Sequence, residues 1–123
     1  LDSLTKFCEE NKITAGIISA IGALQTLNVS YYLQDKKRYI DVPNLNQSAP
    51  FELLSCMGNV SLKDGKPFVH AHLVAGDKDG KAYGGHLIKG CKIFALEFSI
   101  TSLQGDNLVR QFDETLQLNL WAK

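Results

Sequence analysis

The feature that most restricts how this chain can fold is a period-two alternation of apolar and polar residues in its second half. From Ile93 to Leu103, one set of alternate positions is apolar: Phe94, Leu96, Phe98 and Ile100. This pattern is typical of a strand with one buried face. Segments 51–62 and 67–75 are also rich in strand-forming residues, and the Asp-Gly pair between them is a hairpin signal. The chain is therefore predicted to form antiparallel hairpins, with 108–121 as the closing strand.

Helical periodicity is confined to residues 2–12, where Leu4, Phe7 and Cys8 stand at i, i+3 and i+4. Gly22 is expected to separate a strand over 13–20 from a second one that begins at Leu24. The length of 123 residues indicates one domain, here residues 1–123. The predicted fold class is α+β, an α/β sandwich made mainly of antiparallel sheet with one or two packed helices.

The charges of the chain are balanced, with 13 Lys and Arg against 13 Asp and Glu. This balance argues against a general nucleic-acid or membrane-surface binder, whose affinity comes mainly from excess basic charge. The basic run 36–38 is interpreted as a solvated hairpin end. Cys8, Cys56 and Cys91 form neither a paired disulfide framework nor a zinc-ribbon pattern, so reduced buried thiols and a cytoplasmic location are expected.

All three histidines lie within seventeen residues of one another. His70 and His72 are two positions apart in a predicted strand, so their rings should leave the same face about 6–7 Å apart. The turn at 76–80 would place His72 opposite residue 85, and a bulge at Gly84–Gly85 would bring His86 beside His72. Three imidazoles with an open fourth position suit zinc, while copper, nickel or iron would also accept them.

The same spacing also fits three hydrogen-bonding or interface histidines on one sheet face, so the residues leave both uses open. Glu52 and Glu97 are expected to face inward from their strands, but the sequence does not place either of them beside the histidines. The chain contains no P-loop, dinucleotide-binding or HExxH motif, and no general base is identified.

Several motifs occur in a distinctive order, namely Phe51–Val60, Pro67–His72, Asp79-Gly80 and the Gly-Gly-His-Leu of Gly84–Leu87. In this order they resemble the plants and prokaryotes conserved (PPC) domain over essentially the whole chain. Ala20–Leu24, Glu97 and Arg110 add to the resemblance.

The resemblance implies a homotrimer of the prokaryotic stand-alone type, whose members are often labelled DNA-binding by association. It implies that His70, His72 and His86 are metal ligands, and that turn and bulge positions are occupied by Gly58, Gly84 and Gly85. In plant members a segment that aligns with residues 49–54 is tied to partner binding, including contacts with transcription factors. This assigns partner contacts here to Phe51, Glu52, Leu53 and Leu54, although the plant Gly-Arg is replaced by Ala49-Pro50.

Three functions are therefore considered, in decreasing order of support. The first is a non-enzymatic homotrimeric module that holds a metal ion and acts through protein contacts, including transcription-related ones. The second is a small metalloenzyme, a hydrolase or lyase acting on a small molecule through metal-bound water. The third is direct DNA binding, which the balanced charge and the presence of only two arginines disfavour.

Overall fold

The structure is a computed structural model, and it describes residues 1–45, 49–105 and 108–122. One helix is followed by nine strands in this part of the chain. Their bounds are α1 (Asp2–Glu10), β1 (Gly16–Thr26), β2 (Val29–Leu33), β3 (Arg38–Asp41), β4 (Phe51–Lys63), β5 (Lys66–Gly76), β6 (Ala82–Leu87), β7 (Lys92–Ser102), β8 (Arg110–Asp113) and β9 (Leu118–Trp121).

Seven strands form one sheet in the order β3-β2-β6-β5-β4-β1-β7, and every pairing within it is antiparallel. This confirms the predicted antiparallel sheet. The molecule is richer in strands than an α/β sandwich, because α1 is the single helix among the described residues. None of these residues forms a helix with the length and apolarity needed to cross a bilayer.

The core lies on one face of the sheet, and α1 covers it with the buried side chains of Leu4 and Cys8. The central strands contribute alternate residues to this core, as period-two packing requires. On β5 the buried set is Val69, Ala71, Leu73 and Ala75. The intervening residues of β5, including His70 and His72, therefore point to the opposite face, which we call the outer face.

Gly22 does not end a strand as expected, because β1 runs continuously past it. The register with β4 shifts between Ala20 and Gly22, so the glycine lies at a bulge. Its φ is +154°, and an added Cβ would lie 2.3 Å from the carbonyl oxygen of Ala95 on β7. A close approach of neighbouring backbones, rather than a chain break, therefore requires glycine here.

The predicted closing strand over 108–121 is a two-stranded hairpin instead, formed by β8 and β9. The turn between them is held by the Asp113 carboxylate, which accepts a hydrogen bond from the backbone N–H of Leu116 at 2.8 Å. The hairpin lies against the outer face of the large sheet, where Arg110 contacts β4 and β5 side chains. This placement closes one side of the histidine cluster.

Candidate metal centre

The outer face of the sheet brings the three histidines together across two adjacent strands. His72 on β5 is directly opposite His86 on β6, and the pairing then continues without a shift to Gly76 and Ala82. The expected bulge at Gly84–Gly85 is therefore wrong, although the juxtaposition it was meant to explain is present. The loop between β5 and β6 is one residue longer than a pairing of residue 72 with residue 85 requires. The longer loop is what brings His86 opposite His72.

The two glycines before His86 allow neighbouring strands to pack closely and do not form a bulge. A Cβ at Gly84 would lie 2.5 Å from the Leu73 carbonyl oxygen, and one at Gly85 would lie 2.8 Å from that of Ser30. Strand β6 thus fits closely between β5 and β2 because it lacks side chains at these positions. Gly58 likewise lies inside β4 rather than in a turn, and its Cβ would lie 2.5 Å from the His70 carbonyl oxygen.

The imidazole rings form a nearly equilateral triangle. Ring centroids are 5.2 Å apart for His70 and His72, 5.0 Å for His70 and His86, and 5.3 Å for His72 and His86. One nitrogen from each ring lies within 4.8 Å of the other two. His72 is exposed, whereas His70 and His86 are half-buried. Three potential ligand atoms therefore converge at a point that is accessible from one side.

Two imidazole nitrogens in this triangle are buried without a hydrogen bond. They are His70 Nε2 and His86 Nδ1, neither of which has a partner among the described residues. A buried polar atom normally has a partner, because leaving it unpaired costs about 1–3 kcal/mol. A metal ion bound by these nitrogens would satisfy both of them.

Arg110 of β8 lies beside the triangle. Its Nη2 is 3.4 Å from His70 Nδ1 and donates to Asn59 Oδ1 at 2.8 Å. Its Nε donates to Ser61 Oγ at 2.7 Å, and Nη1 donates to the carbonyl oxygen of Asn119 at 2.9 Å. The guanidinium thus ties the hairpin to β4 and places a positive charge next to the histidines.

The environment of the triangle favours neutral imidazoles. Burial lowers the pKa of His70 to about 4, with further lowering from His86, Arg110 and His72. Burial also lowers the pKa of His86, and His72 and Arg110 contribute in the same direction. Since the neutral ring is the form that ligates a metal, these shifts keep protons from competing for the site.

The unfolding free energy of the metal-free protein should fall as the pH decreases from about 6.5 towards about 4. Native His70 takes up a proton only near pH 4, whereas an unfolded histidine does so near 6.5, so acid favours the unfolded state. Because the ring is half-buried, we expect a loss of about 1–2 kcal/mol between pH 7.5 and 5. Urea unfolding in the presence of a chelator measures it, and His70→Gln should show a shallower dependence. Equal pH dependence in both proteins would contradict the assignment.

The two glutamates expected to face inward do not. Glu52 on β4 and Glu97 on β7 are both exposed, because Phe51 and Leu53 take the core positions of β4 and the neighbours of Glu97 face the helix. Among the described residues, no carboxylate joins the histidine triangle. On β7, Leu96 and Ile100 of the predicted apolar set pack against the core, and Glu97 alternates with them and therefore lies on the outer face.

The predicted partner segment Phe51–Leu54 is split between the two faces of β4. Phe51 and Leu53 are buried in the core, while Glu52 and Leu54 are exposed. Only the latter two are therefore accessible to another molecule. Cys8, Cys56 and Cys91 are free thiols, and the first two are buried.

These features define a class of protein: an antiparallel-sheet domain that carries a three-histidine candidate metal centre on its outer face. Residues 1–104 match the model of the Plants and Prokaryotes Conserved (PCC) domain. The chain belongs to this family, which is the PPC family of the sequence motifs. Among the curated proteins, none matches the chain at a significant level.

Solved structures support the assignment. A protein of Archaeoglobus fulgidus described as metal-containing is 43% identical with a TM-score of 0.89, over 99% of this chain and 84% of that one. A plant- and prokaryote-conserved protein of Pyrococcus horikoshii is 37% identical with a TM-score of 0.90, over 100% and 82%. A candidate DNA-binding protein of Bacteroides thetaiotaomicron is 27% identical with a TM-score of 0.86, over 98% and 82%.

Proposed function

We propose that this chain is a non-enzymatic, self-associating domain in which His70, His72 and His86 hold one divalent transition metal ion. Zinc is the preferred ion, ahead of copper, nickel and iron. The observation that carries the proposal is the pair of buried, unpartnered nitrogens His70 Nε2 and His86 Nδ1 within the triangle. Neutral imidazoles are good ligands for zinc, which forms Zn–N bonds of about 2.0–2.1 Å. The description of the Archaeoglobus fulgidus relative as metal-containing agrees with this assignment.

The chemistry of the donor set fits an ion with an open position. When bound by three protein ligands, zinc keeps a fourth position for water or another ligand and acts there as a Lewis acid. This also makes a small hydrolase or lyase the second candidate, favoured by the cavity next to His70 and His86. No carboxylate of the described residues lines that cavity to serve as a general base, so we place the non-enzymatic function first.

Elemental analysis tests the metal site. Protein purified without chelator or histidine tag should contain about one zinc ion per chain, and His70→Ala/His72→Ala should contain almost none. Met57→Ala is the matched control, because Met57 lies opposite His72 on the same face without offering a strong ligand. A metal-free wild-type protein, or equal metal content in all three proteins, would contradict the proposal.

Self-association is supported by an exposed apolar patch on the outer face, formed by Ile17, Ile21, Met57 and Val74. Between 43% and 54% of the surface of each residue is exposed. Ile17 faces Asn59 and Met57 faces His72 across adjacent strands, so the patch is continuous with the histidine triangle. Contiguous exposed apolar surface of this kind marks an interface, and we propose that copies of the chain meet here as a trimer.

Replacing Ile21 with Lys should convert the assembly into monomers at micromolar concentration, because each copy would have to bury a charge. Sedimentation velocity or light scattering measures the mass. Ile40→Lys is the matched control, since Ile40 is an exposed isoleucine on β3 at the distant side of the sheet. A wild-type protein that sediments as a monomer would overturn the proposal.

Contacts with transcription-related proteins are part of this proposal, whereas direct DNA binding is not. The relative from Bacteroides thetaiotaomicron that is described as a candidate DNA-binding protein favours direct DNA binding. However, the net charge is zero, and one of the two arginines, Arg110, is buried and bonded within the fold. A DNA interface draws most of its affinity from accessible basic side chains, which this chain does not have in excess.

A further inference from the structure

Arg110 is a buried cation that has no anionic partner among the residues that the structure describes. Only 8% of its surface is exposed, and its hydrogen-bond partners Ser61, Asn59 and Asn119 are all neutral. Within residues 1–45, 49–105 and 108–122, no Asp or Glu forms an ion pair with it. A buried charge without a counter-charge is costly, so this arrangement favours an external anion.

A cavity of about 150 Å³ adjoins both Arg110 and the histidine triangle. Its polar lining comes from Arg110, His70, His86, Tyr39 and Asn119, and its apolar lining from Phe68, Leu118 and Leu120. The Arg110 guanidinium lies 5.2 Å from the centroid of the Phe68 ring, and Lys63 Nζ lies 5.4 Å from the same centroid. The walls thus combine cationic and apolar side chains.

We propose that this cavity binds a small organic carboxylate, with its oxygens directed at the Arg110 guanidinium and at the metal ion held by the triangle. The inference rests on the proposed metal function. Three neutral imidazoles leave the charge of a divalent ion uncompensated, and Arg110 adds another positive charge next to it. A carboxylate between them neutralises both. The planar fork of the guanidinium has five N–H groups, so it keeps N–H groups beyond those bonded to Ser61, Asn59 and Asn119 with which to bind a carboxylate oxygen.

Hydrogen bonding couples the metal ligand His70 to the anion-binding group Arg110. Arg110 Nη2 faces His70 Nδ1 at 3.4 Å. A metal ion on Nε2 leaves the ring hydrogen on Nδ1, and this atom then stops being an acceptor. The Arg110 donor therefore needs a new acceptor once the metal is bound, which a carboxylate oxygen supplies.

The apolar walls select the kind of carboxylate. Leu118, Leu120 and Phe68 offer contacts to a short hydrocarbon tail, whereas inorganic phosphate has no group to place there. A volume of about 150 Å³ has room for a carboxylate with a short tail of a few carbon atoms. Butyrate is therefore a suitable probe.

Cobalt(II) in place of zinc gives a coloured site in which ligand exchange is visible. Titration with butyrate should change the absorption spectrum of the cobalt-loaded wild-type protein. Calorimetry should show that butyrate binds the metal-free protein and Arg110→Met at least about tenfold more weakly than it binds the cobalt-loaded wild-type protein. Arg110→Lys should bind with intermediate affinity, because it keeps the charge without the fork. Butylammonium and phosphate, which lack the carboxylate or the tail, should bind at least about tenfold more weakly than butyrate.

A second variant avoids any dependence on the folding of Arg110 variants. Leu120→Trp should fill the cavity and weaken butyrate binding at least about tenfold, whereas Leu116→Trp, on the same hairpin but outside the lining, should leave it unchanged. If cobalt binds with one ion per chain but butyrate changes neither spectrum nor heat, the carboxylate proposal fails and the metal site stands. If no metal binds, both fail. Equal affinity for phosphate or butylammonium, or equal binding by Leu120→Trp, also overturns it.

Discussion

Removing bound zinc with a chelator should lower the melting temperature of this protein by about 15 °C. Suppose that an ion binds only the folded state and that its free concentration is about a thousand times its Kd. Such an ion stabilises the folded state by about 4 kcal/mol. For a domain of this size, each kcal/mol corresponds to roughly 3–5 °C. The expected effect is large because the unfolded chain separates His70 and His72 from His86 by a flexible segment and cannot hold the ion in the same geometry.

Differential scanning calorimetry of the zinc-loaded protein, with and without chelator, measures this shift. His72→Ala is the informative variant, because His72 is exposed and its loss removes a ligand without opening the core. The melting temperature of His72→Ala should change by only a few degrees on chelation. A shift as large in the variant as in the wild type would show that zinc acts elsewhere.

The strand pattern could be predicted because its cause is local. Alternating apolar residues and the Asp-Gly turn at 64–65 specify the hairpin of β4 and β5 wherever the rest of the chain lies. The His-x-His pair follows from the same periodicity, since residues two apart share a face. The prediction of His86 as a third ligand used a hairpin register that is wrong by one residue. It also assumed a bulge at Gly84–Gly85, which the structure does not contain. The two errors cancel, so the predicted pairing of His72 with His86 is correct.

The β8–β9 hairpin was missed because its turn has no standard signal. The turn contains neither glycine nor proline, and Gln117 adopts the left-handed φ of +53° that usually favours glycine. Period-two spacing also continues on both sides of the turn, so the sequence is equally compatible with one long strand. A single cue was available, namely Asp113, whose carboxylate caps the turn by accepting from Leu116 N–H.

The role of Arg110 could not be found from spacing. Its partners Asn59, Ser61 and His70 are forty or more residues away and lie on other strands. The charges on β4 and β8 do not predict that these strands contact each other, because the β4 groups that accept from Arg110 are the neutral hydroxyl of Ser61 and amide oxygen of Asn59. The spacing of the predicted metal ligands therefore gives no sign of the cation that lies beside them and contributes to their low pKa values.

Replacing Arg110 with Met should lower the free energy of unfolding by about 3 kcal/mol. Ser61 is fully buried, and its hydroxyl accepts the 2.7 Å bond from Arg110 Nε. Methionine keeps the apolar contact with Phe68 but leaves this hydroxyl, the Asn59 amide oxygen and the Asn119 carbonyl without their donor. An unpaired buried acceptor costs about 1–3 kcal/mol, and water entering at the exposed ends of the hairpin reduces the sum.

Urea unfolding of Arg110→Met against Arg38→Met checks this prediction. Arg38 is the only other arginine and is exposed on β3, so its replacement should change stability by less than about 0.5 kcal/mol. In a double-mutant cycle, Ser61→Ala should recover about 1 kcal/mol of the Arg110→Met loss, since it removes the stranded hydroxyl. Equal stability of the two arginine variants would mean that the hairpin is held by its apolar contacts. Arg110 would then be free to move towards the histidines instead of being fixed beside them.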